Sequence, residues 1–180
     1  MINEKIKHNR KAQFYIFTAI ILIAYSMLLL QSFSVVPESS KTFRNIYENF
    51  KFESSAAINN ALFEQADVND EYERFLDRFI SYSKMKKTNI EVFSMLETGD
   101  RVYFSNKMNT EVRIININET ISPGSSTYFL RSDLSEAVLE VRDDVFHENI
   151  YKFTISDEGT DAKAVLRLRK GTKSEIFVQD

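Results

Sequence analysis

The strongest constraint on this chain's fold is a change of hydrophobic period at Thr88. Upstream of it, apolar residues recur at three- and four-residue spacings, the period of a helix with one buried stripe. Between Glu38 and Gln65 the stripe is Phe43, Ile46, Tyr47, Phe50, Ala57, Ile58, Ala61 and Leu62, with Lys41, Arg44, Glu48, Asn49, Lys51 and Glu53 on the other face. Asp67-Val68-Asn69-Asp70 interrupts it, and Asp70 with Glu73 has the spacing of a capping box with Asp in the Ser/Thr place. Tyr72, Phe75, Leu76, Phe79 and Ile80 make the stripe of a second helix over residues 71–83. Such stripes face a core more often than a partner, so both helices are expected to pack against the rest of the chain. Lys84, Lys86 and Lys87 complement the dipole at the second helix's C-terminus; the same run could touch anionic lipid, for which three lysines are a weak signal, and the dipole reading is favoured.

Downstream of Thr88, short β-rich runs replace the helical period. They cover residues 90–96, 101–105, 111–116, 127–130, 137–142, 150–155, 164–169 and 175–178. Turn residues separate them: Gly99-Asp100, Asn106-Lys107, Pro123-Gly124, Asp157-Glu158-Gly159 and Lys170-Gly171. Val112 and Ile114 alternate with Glu111 and Arg113, and Ala164, Leu166 and Leu168 alternate with Val165, Arg167 and Arg169. Polar residues at alternate positions predict antiparallel sheets with one wet side, and this many strands predicts a small β-sandwich.

The N-terminal end has a different character. Residues 14–30 carry no charge, and Gln31 to Val36 extend the uncharged run to Pro37. Seventeen helical residues rise about 26 Å, and the extension brings the run to the ~30 Å of a hydrocarbon core. Lys5, Lys7, Arg10 and Lys11 precede it against one acid, Glu4, which predicts a cytoplasmic N-terminus and an exported remainder. Three readings fit the run: a buried helix of a soluble core, a secretory signal cleaved near Ser32-Phe33-Ser34, or a retained membrane anchor over 13–36. Its length and basic flank favour the anchor.

Arg10-Lys11-Ala12-Gln13-Phe14 resembles the processing junction of archaeal type IV pilin-like proteins with class III signal peptides. The resemblance covers about the first 35 residues. It implies that Lys11 and Ala12 end a short basic leader, that Gln13 begins the mature chain, and that the apolar helix stays on the protein and packs among identical subunits. The fifth mature position is then Phe17, where many type IV pilins place Glu.

Chemistry-bearing patterns are sparse. The chain has no cysteine, so thiolate catalysis and cysteine metal sites are excluded and the fold rests on its core alone. A net charge of −3 gives no electrostatic case for nucleic acid. The four glycines lie apart, so there is no phosphate-cradling loop, and no Gly-x-Ser-x-Gly elbow is present. Asp143, Asp144, His147 and Glu148 are the one dense group of metal-ligand types, read here as a solvated loop between strands. Asn118-Glu119-Thr120 is an N-glycosylation sequon.

These readings combine into an α+β chain: an N-terminal transmembrane helix and amphipathic helices followed by an antiparallel β-sandwich. The expected organisation is a cytoplasmic basic leader (1–12), a membrane helix (13–36), a helical stalk region (37–87) and an extracytoplasmic sandwich (88–180). The expected role is that of a membrane-anchored surface structural protein, a pilin-like subunit, with a monomeric anchored binding module as the alternative. No enzymatic activity, cofactor or metal is expected; the expected partners are the lipid bilayer and identical subunits.

Overall fold

The computed structural model describes residues 17–23, 25–26, 38–142 and 148–180. The chain divides into two units, residues 1–41 and 42–180. In the first, residues 17–23 and 25–26 are helical, and Phe17, Ile20, Ile21, Leu22, Ile23 and Tyr25 are all at least half exposed. The leader expected over 1–12 and most of the span expected over 13–36 lie outside the described residues. Among those described, no helix is long and apolar enough to cross a membrane.

Helix α1 (Glu38–Glu64) follows the apolar spacing of its sequence, burying Phe43, Phe50, Ile58 and Ala61. Gln65, in the left-handed region at φ 54°, ends it. Helix α2 (Val68–Met85) begins earlier than the capping pattern predicted. The cap is Asp67 rather than Asp70: the Asp67 carboxylate accepts the backbone N–H of Asp70 at 3.0 Å. This placement puts Asp70 and Glu71 in the first turn, where their charge favours the helix dipole, and frees Glu73 for a contact outside the helix.

Among the described residues, nine strands form two antiparallel sheets: β1 (Asn89–Thr98), β2 (Arg101–Asn106), β3 (Val112–Ile114), β4 (Glu119–Ile121), β5 (Ser126–Leu130), β6 (Glu136–Arg142), β7 (Glu148–Thr154), β8 (Asp161–Lys170) and β9 (Lys173–Gln179). One sheet has the order β5-β2-β1-β8-β9 and the other β4-β3-β6-β7. Each run expected from the sequence coincides with a strand. The additional one is β4, because the third run stops at Ile114, turns through a short 3₁₀ segment (Ile115–Ile117) and returns as β4. The two-residue hairpins at Gly99 and Gly171 carry φ of 58° and 61° at their first central position, a backbone that a side chain resists.

Alternation sorts the strands into three layers. Odd positions of β1 (Phe93, Met95), Val165 of β8, and Val102 and Phe104 of β2 meet Val112, Ile114, Leu139, Val141 and Phe153 of the second sheet in one core. Even positions of β1 and β8 (Ile90, Val92, Leu96, Ala164, Leu166, Leu168) meet Phe43, Phe50, Leu76 and Phe79 of the helices in another. The central strands β1 and β8 of the five-stranded sheet are therefore covered on both sides, so the wet face expected from the alternation of β8 is absent there. Arg167, on the side expected to be wet, is 1% exposed. The expectation holds for the second sheet, where buried Val112 and Ile114 flank exposed Arg113. Phe50 sits between Phe75 and Phe79 at centroid distances of 5.4 and 5.3 Å, and this ring cluster locks the two helices antiparallel.

Candidate functional site

Charged side chains converge in the layer between the sheets, on both flanks of its apolar core. On one flank Arg167 of β8 lies directly opposite Glu91 of β1 in the sheet register. Its Nη1 donates to Glu91 Oε2 at 3.2 Å; Asn109 Nδ2 donates to Oε1 at 3.1 Å, and Arg169 Nη1 lies 3.7 Å from the same oxygen. On the other flank Glu97 is fully buried. Its Oε2 accepts the backbone N–H of Ser156 at 2.8 Å, with Arg131 Nη2 at 3.9 Å, while Lys163 Nζ stands 3.7 Å from Oε1. Arg131 also donates to the carbonyls of Asp157 and Gly159 at 3.4 and 2.9 Å, and Lys163 donates to that of Thr154. These carboxylates are occupied with pinning the 155–160 turn and the strand ends to the sheet. Buried charges survive only when paired in this way.

A third polar centre is Asn106, which is fully buried. Its amide donates to the carbonyls of Thr110 at 2.9 Å and Ile121 at 2.8 Å, and its oxygen accepts from Met108 N at 2.9 Å. One side chain thereby fixes the crossing from the first sheet to the second. Next to it, Lys107 reaches Glu73 at 2.9 Å and Asp77 at 3.0 Å on α2, the contact that the helix start at Val68 makes available. Burial pulls the Lys107 ammonium down, and the two carboxylates more than restore it, so it stands above its ordinary value.

The open features of the surface are of a different kind. A groove of about 610 Å³ runs between α1 and α2, with Ala56, Ala57 and Ala61 along it, Phe75, Phe79 and Tyr82 on one wall, and Glu53, Glu64 and Glu71 facing Arg78. Phe52 and Phe63, 78% and 88% exposed, lie on the outward side of α1. The groove offers small-residue relief, ring edges and carboxylates, the lining of a binding surface; it contains no nucleophile–base pair.

The residues singled out from sequence fall in different places. Lys11, Ala12 and Gln13 lie outside the described residues, as do Asp143, Asp144 and His147; Glu148 opens β7. Among the described residues, no group of three or more His, Cys, Asp or Glu could hold a metal ion. Asn118 is exposed at the left-handed residue closing the 3₁₀ segment, φ 53°, and its Oδ1 accepts Arg113 Nη2 at 2.6 Å. Its sequon partner Thr120 is exposed in β4, beside a depression of about 370 Å³ that both residues line. The groove, the two charged flanks and the Asn106 centre went unread in the sequence. Each joins segments far apart in the chain, and the available signals were individual residues such as the Glu91 and Arg167 placed among apolar neighbours.

Comparison of the chain with known protein families, with curated proteins and with solved structures finds no match.

Proposed function

We propose that the chain is a single-pass, membrane-anchored protein that displays its helix-and-sandwich body on the outer face of a cell envelope, with the layout of a pilin-like subunit. The supporting observation is the helix over residues 17–23 and 25–26, whose large apolar side chains, Phe17, Ile20, Ile21, Leu22, Ile23 and Tyr25, are all at least half exposed. A helix of that kind needs lipid or other apolar helices around it. Among its hydroxyls, Ser26 Oγ donates to the Leu22 carbonyl at 2.7 Å, so that group is satisfied within the helix. The uncharged run through Val36 and the cations Lys5, Lys7, Arg10 and Lys11 supply length and orientation.

The body contributes shape and surface: two independent cores hold three layers together, and the long buried strands β1 and β8 at their centre make it rigid. Mass spectrometry of the mature N-terminus, with alkaline carbonate extraction of membranes, tests the proposal. A chain that begins at Gln13 and stays in the carbonate-washed membrane is the expected result. An intact Met1 removes the pilin-like processing, and release by carbonate removes the anchor.

A second reading, a monomeric anchored binding module, is favoured by one observation, the groove between α1 and α2. Negative-stain images of the purified full-length chain separate the two. Filaments or ordered oligomers support the subunit, and a lone monomer in detergent supports the module.

A further inference from the structure

We propose that the end of the body formed by the C-terminus of α2 and the β8–β9 hairpin is a docking face for anionic lipid headgroups. Lys84, Lys86 and Lys87 close α2, and the chain then turns directly into β1 at Asn89. Asn89 is in register with Arg169, and Lys170 with Lys173 across the hairpin. A shallow depression of about 450 Å³ is lined by Lys84, Lys87, Arg169 and Lys170 together. Two segments separated by more than eighty residues thus build one basic surface.

The five lysines of this face are exposed, and among the described residues none forms an ion pair. Of the other described lysines, Lys107 pairs with Glu73 and Asp77, Lys152 with Glu136 and Lys163 with Glu97, while Lys41 and Lys51 stand singly on α1; only at this end are five brought together. Of the acids nearby, Glu91 is buried against Arg167 and Glu175 is half-buried in β9. Charge left unneutralised at one end, in a chain of net −3, is an electrostatic asymmetry directed outward.

Chain connectivity selects lipid as the occupant, and here the inference rests on the anchor reading above. Phe50 touches Phe75 and Phe79, so the antiparallel helices place Phe43 level with the last turn of α2. The body therefore begins, at Thr42, on its lysine-bearing end. The uncharged run ends at Val36, and the few residues between can span at most about 20 Å. That tether is short enough for the lysines to reach a bilayer surface, and each one that comes within a Debye length of it contributes about a five-fold preference for an anionic over a neutral surface. The dipole at the end of α2 accounts for Lys84, Lys86 and Lys87, but it does not account for Lys170 and Lys173.

The absence of cysteine allows a single label to be placed on the full-length chain. Ser174→Cys carries a fluorophore beside the hairpin, and Glu158→Cys carries it in the turn preceding β8, at the opposite end of the body. Each is inserted into nanodiscs of phosphatidylcholine alone or with 30% phosphatidylglycerol, with energy-accepting headgroups in both. Energy transfer from position 174 should rise several-fold in the anionic discs, fall in 1 M salt, and be lost in K84E/K87E/K170E, while position 158 stays low throughout. Equal transfer from 174 in neutral and anionic discs overturns the proposal while leaving the anchor intact. A chain that does not enter discs of either kind overturns the anchor and this inference with it. Lysine-dependent binding of a soluble polyphosphate without lipid transfer at 174 assigns the face to an envelope polymer and overturns it as well.

Discussion

Glu97 offers the most direct test of the layer between the sheets. Its carboxylate is fully buried, held by one backbone N–H at 2.8 Å and by two cations, Lys163 at 3.7 Å and Arg131 at 3.9 Å, whose side chains are themselves 8% and 10% exposed. Removing one member of a buried ion pair costs about 3–5 kcal/mol, because the partner is left charged and out of water. Glu97→Ala belongs at the lower end, about 3 kcal/mol, since Lys163 retains the Thr154 carbonyl and Asp180 at 3.5 Å, and Arg131 retains the carbonyls of Asp157 and Gly159. Lys163→Met should cost at least as much, because the carboxylate then has only Arg131 at 3.9 Å to neutralise it. Against a total of about 5–15 kcal/mol, either loss is a large fraction of the stability.

Urea unfolding of the full-length chain, followed by tyrosine fluorescence in this tryptophan-free protein, measures both variants and their double mutant. In a parallel thermal scan the midpoint temperature of Glu97→Ala should fall by roughly 10 °C for a domain of this size. The double mutant should cost less than the sum, with a coupling above about 1 kcal/mol. A Glu97→Ala variant within about 1 kcal/mol of the parent, or strict additivity with Lys163→Met, refutes the reasoning, because a solvated carboxylate behaves that way and a buried pair does not.

Asn106→Ala should lose about 2–3 kcal/mol in the same unfolding assay, because the carbonyls of Thr110 and Ile121 and the N–H of Met108 lose their partners in a buried turn. Tyr72→Phe should be neutral or slightly stabilising at pH 7, since its hydroxyl is buried without a hydrogen bond of regular geometry. Burial pushes that phenol above its ordinary value of 10.0, interaction with Ser94 offsets part of the rise, and Glu73 and Asp161 add to it. The unfolded chain therefore releases this proton first, and stability should decline as pH rises above 10, less steeply in Tyr72→Phe. Lys107 acts in the same direction: its contribution is complete below the ordinary lysine value of 10.5 and is lost as pH rises through its elevated folded value. Tyr47→Phe should cost about 1 kcal/mol and speed hydrogen exchange in β9, because the Tyr47 hydroxyl donates to the Val178 carbonyl at 2.6 Å.

Most of the fold was legible in the sequence because its period changes sharply at Thr88, and period is what a single sequence reports best. Helix α1 kept its expected bounds to within a residue, and the glycines at 99 and 171 marked hairpins that are there. The start of α2 was misread because Asp67 and Asp70 offer two caps three residues apart, and only tertiary context, the Glu73–Lys107 contact, separates them. The wet face of β8 was misread for a related reason. Alternation records that Val165, Arg167 and Arg169 differ from Ala164, Leu166 and Leu168, but does not record what lies beyond them. A face with two arginines reads as solvent until Glu91 is found opposite.

The same limit explains why the proposed lipid-facing end escaped a linear reading, and it bears on how charge should be read in such chains. Three lysines at the end of α2 are accounted for by a helix dipole, and two more around Gly171 by a polar hairpin. Local explanations exhaust each group separately, so neither calls for a partner. Only the register of Asn89 with Arg169 brings them to one end, and only the absence of ion pairs there, beside the paired lysines at 107, 152 and 163, makes the accumulation an electrostatic cost to the folded body. Like charges held together repel, and the repulsion is offset when an anionic surface lies within a Debye length. If that surface is the bilayer at which the chain is tethered, the lysines set the tilt of the body rather than its stability. Reversing three of them should then abolish the lipid contact at position 174, while stability falls by no more than the dipole interaction at the end of α2 supplies, about 0.3–1 kcal/mol for each lysine reversed there.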